Sequence, residues 1–195
     1  MKVAVIKYNA GNIRSVAFAL ERLSVEFDIT DNAEDIKKAD KVIFPGVGEA
    51  STTMHYLKEK KLSQLIIDLK QPVLGICLGM QLMCSHSEEN DTPCLGIFEE
   101  TVRQFAYRKD FKVPHMGWNS LTETKGWLES GLEDQFVYFV HSYYIDVNPY
   151  TVAVTDYNKP FSAAMKKDNF YAVQFHPEKS AKAGEVVLDL FLKVS

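Results

Sequence analysis

A cysteine lies between two glycines in the run Pro72-Val73-Leu74-Gly75-Ile76-Cys77-Leu78-Gly79-Met80-Gln81. The pattern predicts a buried strand that turns sharply into a helix at Cys77. Such a turn needs small flanking residues, because the residue at its apex is strained and its neighbours approach other backbone closely. The first helical turn also favours negative charge, which promotes ionisation of a thiol. Cys77 is therefore a candidate nucleophile; a small buried core side chain is the alternative interpretation.

A histidine with a nearby carboxylate follows a second strand-like run, residues 171–175. In His176-Pro177-Glu178, the proline favours extended backbone at His176, and residues two apart in an extended chain point to the same side. We therefore expect Glu178 to reach and orient the imidazole. With Cys77, these residues make a set of nucleophile, base and orienting acid.

The loop Pro45-Gly46-Val47-Gly48 follows a third strand-like run, residues 41–44. Its glycines let backbone N–H groups face an anion, here the oxyanion of a reaction at Cys77. A dinucleotide-binding loop is a competing interpretation, but it would need a third glycine where this chain has Ser51, and it would follow the first strand. An ordinary tight turn is the other alternative.

The remaining histidines and cysteines give weaker signals. We expect His141, at the end of an apolar strand, in the wall of the site, and we expect Cys84 in the core. Solvent-exposed positions are expected for His55, His86 and His115. No candidate ligands have the spacing of a zinc site, so neither a metal nor a cofactor is expected.

The elements that must position these residues alternate in the first half of the chain. Strand-like runs at residues 3–8, 25–29, 41–44 and 72–76 are separated by helical patterns, which predicts a mainly parallel sheet with helices on both faces. Closely spaced strands between Leu95 and Phe175, with a hairpin turn at Asp168-Asn169, predict an antiparallel extension. A C-terminal helix should dock through Val187, Leu190, Phe191 and Val194. Ligands bind at the carboxyl ends of such strands, where all three candidate motifs lie.

Composition limits the other classes of function. The chain of 195 residues is long enough for one core, so we expect a single domain over residues 1–195. Its net charge of −4 disfavours a nucleic-acid partner, and no apolar run is long enough to cross a bilayer. An odd set of three cysteines indicates a reducing, cytoplasmic location and no disulfide framework.

With these motifs in order, the chain resembles the class I glutamine amidotransferases of the triad type, which carry a Gly-x-Cys-x-Gly elbow and a later His-Pro-Glu. The resemblance extends over essentially the whole chain. Three further segments resemble the branch of this family that works with a barrel-shaped cyclase subunit: Asn9-Ala10-Gly11-Asn12-Ile13-Arg14-Ser15-Val16, Val113-Pro114-His115-Met116-Gly117-Trp118-Asn119 and Val140-His141-Ser142-Tyr143.

The resemblance implies a flavodoxin-like fold and a glutaminase that passes ammonia to its cyclase partner. It implies a catalytic triad of Cys77, His176 and Glu178, and an oxyanion hole from the backbone N–H groups of Val47 and Leu78. Residues that would hold the amino-acid end of glutamine are Gly48, Gln81, Glu89, Ser142 and Tyr143. Residues that would face the partner are Asn12, Trp118, Asn119 and Lys179.

The resemblance also implies that the Val47 N–H is misaligned until the partner binds its own substrate. The chain departs from the usual family pattern at Lys7-Tyr8 and over residues 84–87, which affects the interface and the pocket rim. Two alternatives stay open: the glutaminase subunit of another amidotransferase, such as the one that feeds pyridoxal phosphate synthesis, and a non-catalytic flavodoxin-like binding module with a structural Cys77.

Overall fold

The computed structural model describes residues 1–8, 12–129 and 131–194, so Asn9, Ala10 and Gly11 of the first family segment lie outside the described residues. The strands are β1 (Lys2–Ile6), β2 (Glu26–Thr30), β3 (Lys41–Phe44), β4 (Val73–Ile76), β5 (Cys84–Ser87), β6 (Thr92–Pro93), β7 (Phe98–Gln104), β8 (His115–Ser120), β9 (Phe136–His141), β10 (Tyr143–Ile145), β11 (Thr151–Tyr157), β12 (Lys159–Lys167) and β13 (Phe170–Val173). The α-helices are α1 (Ile13–Arg22), α2 (Ala33–Lys38), α3 (Ala50–Glu59), α4 (Leu62–Asp68), α5 (Leu78–Leu82) and α6 (Ala181–Lys193).

The central sheet has the strand order β11-β12-β13-β4-β3-β1-β2. From β2 to β13 neighbouring strands are parallel, and β12 and β11 then continue the sheet with antiparallel pairing. The predicted hairpin is confirmed, because Asp168 has φ +50° between the paired strands β12 and β13. The predicted fold class, a mainly parallel sheet with an antiparallel extension, is therefore confirmed.

Alternate residues of β1 show that both faces of the sheet are covered. Val3 and Val5 pack in one cluster with buried residues of α1 and α6. Ala4 and Ile6 pack in the other cluster, with buried residues of α2, α3, α4 and α5. Since side chains alternate across a strand, the two clusters lie on opposite faces, and the predicted helices on both faces are confirmed.

Two smaller sheets complete the fold. One has the order β10-β7-β5-β6, and the other is the antiparallel pair β8-β9. The short helix α2 was not predicted; it buries only Ile36 and is capped by the Asn32 side chain, which accepts from two backbone N–H groups. None of the described helices is long and apolar enough to span a membrane.

The register of the central sheet brings three chain segments to one edge. Phe44 on β3 and Ala172 on β13 both pair with Gly75 on β4. The residues that follow these strands therefore emerge side by side, and they are the loop at residues 45–48, Cys77 and the segment that leads to His176. This edge is the carboxyl end of the parallel strands, where open α/β sheets bind ligands.

Candidate active site

Cys77 lies at the predicted strand-to-helix turn. Its backbone has φ +51° and ψ −106°, a conformation that costs energy in a residue with a side chain. The Cys77 N–H donates to the carbonyl of Val173 at 2.8 Å, which ties the turn to β13. A Cβ on Gly79 would lie 2.0 Å from the Phe44 carbonyl oxygen, and a Cβ on Gly75 would lie 2.9 Å from the Met80 nitrogen. The flanking glycines are therefore required by close backbone packing, as the sequence predicted.

The Cys77 sulfur has polar neighbours in a largely buried position. Its exposed fraction is 7%, and Sγ lies 3.8 Å from the carbonyl oxygen of Val140 and 3.6 Å from Nε2 of Gln174. A buried hydrophobic thiol would not need polar partners of this kind. Gln174 was not predicted as a site residue, and its only signal in the sequence is a polar residue at the end of an apolar strand.

His176 and Glu178 form a buried pair. The His176 Nδ1–H donates to Oε1 of Glu178 at 2.8 Å, and both side chains are fully enclosed. The predicted contact is present, and His176 has the predicted extended backbone, with φ −102° and ψ 95°. The extended segment does not continue to Glu178, because Pro177–Lys179 is a 3₁₀ turn. Gly184 of α6 fits beneath this turn, since a Cβ there would lie 1.8 Å from the Pro177 carbonyl oxygen.

The buried Nε2 of the His176 imidazole has no hydrogen-bond partner among the described residues. Because Nδ1 is bonded to Glu178, the other ring nitrogen, Nε2, is left for Cys77. Burial alone lowers the pKa of His176, but the charges of the Cys77 thiolate and of the Glu178 carboxylate outweigh it and raise the pKa. The charged imidazolium is thus favoured beside the thiolate, as an activated cysteine requires.

Asn12 lies behind this pair, largely enclosed, and its predicted place at the partner interface stays a prediction. Its exposed fraction is only 7%, and its Nδ2 donates to Oε1 of Glu178. Nδ2 also lies 3.4 Å from Nδ1 of His176, but that nitrogen already carries the proton given to Glu178. Asn12 therefore acts on the imidazole through the carboxylate, which it fixes from 166 residues away in the sequence.

A pocket of about 320 Å³ opens beside Cys77. Its lining residues are Val47, Gly48, Cys77, Leu78, Gln81, Glu89, Pro114, Val140, His141, Ser142 and Tyr143. All five predicted substrate-binding residues and both predicted oxyanion residues are among them. Within residues 1–8, 12–129 and 131–194, no group of three or more His, Cys, Asp or Glu side chains could hold a metal ion.

Polar groups in the pocket are held by the backbone. Oε2 of Glu89 accepts from the Ala50 N–H at 2.8 Å, and burial raises the pKa of this carboxyl. Nε2 of Gln81 donates to the Tyr143 carbonyl at 3.1 Å and to Oε1 of Gln174 at 2.9 Å. The pocket thus offers a carboxylate at one side and aligned amide groups beside the sulfur.

The wall near Tyr143 contains two bonded histidines. His141 Nδ1 lies 2.7 Å from the Tyr143 carbonyl oxygen, and His141 Nε2 lies 2.9 Å from Nδ1 of His115. Burial lowers the pKa of His141 to about 3 and that of His115 to about 4, so both stay neutral. The predicted wall position of His141 is confirmed. The expectation that His115 is solvent-exposed is wrong, because it is 3% exposed and stacks on Tyr157.

The two predicted oxyanion N–H groups do not converge in this conformation. The Leu78 N–H donates to the Gly46 carbonyl oxygen at 3.4 Å. In a trans peptide the C=O and N–H groups point in opposite directions, so the Val47 N–H points away from the Leu78 N–H. The Gly46–Val47 peptide must rotate before both groups can bind one oxyanion.

An exposed aromatic surface adjoins His176. Trp118 is 52% exposed and packs its ring 6.0 Å from that of Tyr138, and the Lys179 ammonium lies 6.0 Å from the same Tyr138 ring. Asn119 is half-buried and donates to the Asp156 carbonyl at 2.9 Å. Met116 and Phe136 extend the exposed apolar face of the β8-β9 pair. Such a patch is typical of a protein interface.

Comparison with known proteins gives a consistent result. The family described as Glutamine amidotransferase class-I matches residues 4–194. The imidazole glycerol phosphate synthase subunit HisH of Bacteroides fragilis (strain YCH46) is 63% identical over 196 residues, covering 100% of each chain, and that of Bacteroides thetaiotaomicron is 62% identical, covering 98% of this chain and 99% of that protein. A crystal structure of a glutamine amidotransferase has a TM-score of 0.76 at 20% identity, covering 98% of this chain and 97% of the other, which shows the fold alone.

Proposed function

The chain belongs to the class-I glutamine amidotransferase family, and we propose that it is the glutaminase subunit of imidazole glycerol phosphate synthase, with Cys77, His176 and Glu178 as its triad. One observation carries the triad assignment: a strained, enclosed cysteine beside a pocket has a histidine behind it that is bonded to a buried glutamate. This is the geometry of an activated nucleophile, its base and an orienting acid.

In the proposed mechanism, the Cys77 thiolate attacks the side-chain amide carbon of glutamine. The resulting oxyanion receives hydrogen bonds from the Leu78 and Val47 N–H groups, and loss of one such donor costs about 3 kcal/mol of transition-state stabilisation. The imidazolium of His176 gives its Nε2 proton to the departing ammonia, and then activates the water that hydrolyses the glutamyl thioester. Glutamate and ammonia are the products, and Cys77 is regenerated.

The pocket also suggests how the amino-acid end of glutamine is held. Burial raises the pKa of the Glu89 carboxyl, because it disfavours the charged form. The positive α-ammonium group of glutamine would stabilise the charged carboxylate when the two groups lie together. Gly48, Gln81 and the backbone of Ser142 and Tyr143 would complete the site. These contacts leave the side-chain amide of the substrate at Cys77.

Ammonia passes to a partner cyclase subunit, which forms imidazole glycerol phosphate and aminoimidazole carboxamide ribotide in histidine biosynthesis. We place the docking surface at Trp118 and Lys179, continuous with the exposed faces of Met116 and Phe136. The Asn119 side chain points to the opposite face of β8, so its predicted contact with the partner would be made at the edge of this surface. This surface adjoins His176 through Tyr138, whose carbonyl accepts from the His176 N–H at 2.9 Å.

A single domain with three free cysteines would work in a reducing cytoplasm.

The partner is also expected to switch on the glutaminase. As the Val47 N–H points away from the Leu78 N–H, the free subunit should hydrolyse glutamine slowly, and rotation of the Gly46–Val47 peptide should follow when the cyclase binds its own substrate.

The decisive experiment is glutamine hydrolysis by the subunit alone, with the cyclase, and with the cyclase and its substrate. We expect appreciable turnover only in the last mixture. Cys77→Ser should abolish glutamine-dependent synthesis by the complex while leaving ammonia-dependent synthesis intact. Glutamine turnover retained by Cys77→Ser would exclude Cys77 as the nucleophile, and labelling of Cys77 by a glutamine-analogue electrophile would exclude the non-catalytic module.

A further inference from the structure

A fully buried amide lies against the nucleophile and has no role in the mechanism above. Gln174 follows β13 directly, its exposed fraction is 0%, and its backbone N–H donates to the Ala163 carbonyl at 2.8 Å. Its side chain turns toward the site, with Nε2 3.6 Å from the Cys77 sulfur and Oε1 2.9 Å from Nε2 of Gln81.

The direction of this hydrogen-bond chain is fixed by a backbone carbonyl. The Tyr143 carbonyl can only accept, so the group that Gln81 presents to it must be its NH₂. The same NH₂ faces Gln174, which must therefore present its oxygen there. The remaining NH₂ of Gln174 then points at Cys77. Turning either amide around would place two donors or two acceptors together in a buried site, which costs free energy.

A donor and an acceptor on the same sulfur favour different protonation states. The Val140 carbonyl, 3.8 Å away, can accept only from the thiol S–H. The NH₂ of Gln174 stabilises the thiolate, because a hydrogen bond to the charged form of a group favours that form. It also restricts the position of the sulfur.

We propose that Gln174 is a positioning residue of the glutaminase, which holds the Cys77 sulfur as a thiolate and links it through Gln81 to the pocket where glutamine binds. This inference rests on the proposed function, since it assigns Gln174 a task in that reaction. A substrate that contacts Gln81 would therefore be connected to the Cys77 sulfur by the hydrogen bonds of the two amides.

The test is the pH profile of Cys77 alkylation by iodoacetamide in the free subunit, with modification mapped to the Cys77 peptide. Burial raises the pKa of Cys94 to about 12 and raises that of Cys84, so these thiols should react little near neutral pH. The titratable groups that face Cys77 are His176, with Glu178 behind it, and Tyr8, and all three are kept in every variant.

Gln174→Met removes the donor at similar volume and leaves Gln81 bonded to Tyr143. We expect the midpoint of its alkylation profile to rise by about one pH unit. At a pH below both midpoints, this corresponds to a thiolate fraction about ten times smaller than in the wild type. In the complex with cyclase and cyclase substrate, kcat should fall while KM for glutamine changes much less. Gln64→Met, an exposed glutamine on α4, is the matched control and should leave both unchanged.

Gln174→Glu keeps the oxygen that faces Gln81 and replaces the donor by an acceptor, so its midpoint should rise at least as far. If neither variant keeps the circular dichroism of the wild type, the Gln174 NH₂ resonances of the wild type decide, since they should shift with the Cys77 titration. The proposal would be overturned by an unchanged alkylation midpoint in a folded variant, or by Gln174 NH₂ chemical shifts that stay constant while Cys77 titrates. Cys77→Ser reports separately on the proposed function, because alkylation requires no glutamine turnover.

Discussion

Replacing His115 by phenylalanine should reduce the loss of stability on acidification. His115 and His141 are buried, with exposed fractions of 3% and 5%, and burial lowers their pKa values to about 4 and about 3. In the unfolded chain a histidine has a pKa of about 6.5. Below that pH the unfolded chain binds protons that the folded chain does not. The stabilisation is therefore complete above pH 6.5 and is lost as the pH falls toward 4.

The size of the effect follows from these values. Each neutral buried histidine costs about 1.4 kcal/mol of unfolding free energy for every pH unit below 6.5. Between pH 7 and pH 5 this is about 2 kcal/mol for each, or about 4 kcal/mol for the pair. His115→Phe removes about half of this dependence. Phenylalanine can keep the stacking of this ring on Phe139 and Tyr157, at centroid distances of 4.9 and 3.9 Å, so we expect a folded variant.

The assay is urea unfolding at pH 5, 6 and 7 and constant ionic strength, with free energies from linear extrapolation. Groups that titrate in both proteins away from His115, including the carboxylates, cancel in the difference between wild type and variant. His141 loses its hydrogen-bond partner in the variant, which lowers stability at every pH, so the comparison uses the change between pH 7 and pH 5 and not the absolute stability. His55→Gln, which removes an exposed histidine of α3, is the matched control and should lose as much stability as the wild type. If His115→Phe loses as much as the wild type between pH 7 and pH 5, His115 is not held neutral by burial and the reasoning fails.

Two further predictions concern the triad and the turn. In the complex, His176→Ala should lower kcat by roughly a hundredfold or more, whereas Glu178→Gln and Asn12→Ala, which disturb only the orientation of the imidazole, should lower it less; the reverse order in steady-state glutaminase assays would contradict an orienting role. Gly79→Ala should destabilise the free subunit by about 3 kcal/mol or more in urea unfolding, because its Cβ would meet the Phe44 carbonyl oxygen at 2.0 Å; a loss below about 1 kcal/mol would show that the elbow can widen.

Local patterns predicted the features of the fold that depend on neighbouring residues. Alternating apolar runs gave the parallel sheet, and the glycines around Cys77 gave the sharp turn, because both depend on residues close in sequence. The contact between His176 and Glu178 was also predicted, although the backbone there is a 3₁₀ turn. Residues two apart in sequence can adopt few relative positions, so the contact forms although only His176 is extended.

Contacts between distant segments could not be predicted in the same way. Asn12 meets Glu178 across 166 residues, and Gln174 meets Cys77 across 97 residues. The Gln174 contact depends on the pairing of β4 with β13, and the Asn12 contact depends on the packing of α1. The hydrophobic periodicity of a single segment predicts neither arrangement. His115 was expected in solvent for the same reason, since its burial is created by Tyr157 and Phe139 from other strands.

The parts of the proposed site differ in how firmly this chain holds them. Cys77 is tied to Val173, and His176 to Tyr138 and Glu178, so the three residues of the proposed triad are in place in the free chain. The oxyanion hole depends on one peptide, Gly46–Val47, whose carbonyl is held by the Leu78 N–H at a long 3.4 Å. This weak hydrogen bond to the Gly46 carbonyl can break at low cost, and glycine tolerates the backbone rotation that follows. Under the proposed function, control by the cyclase would therefore need to move only this peptide, and the nucleophile could stay in place.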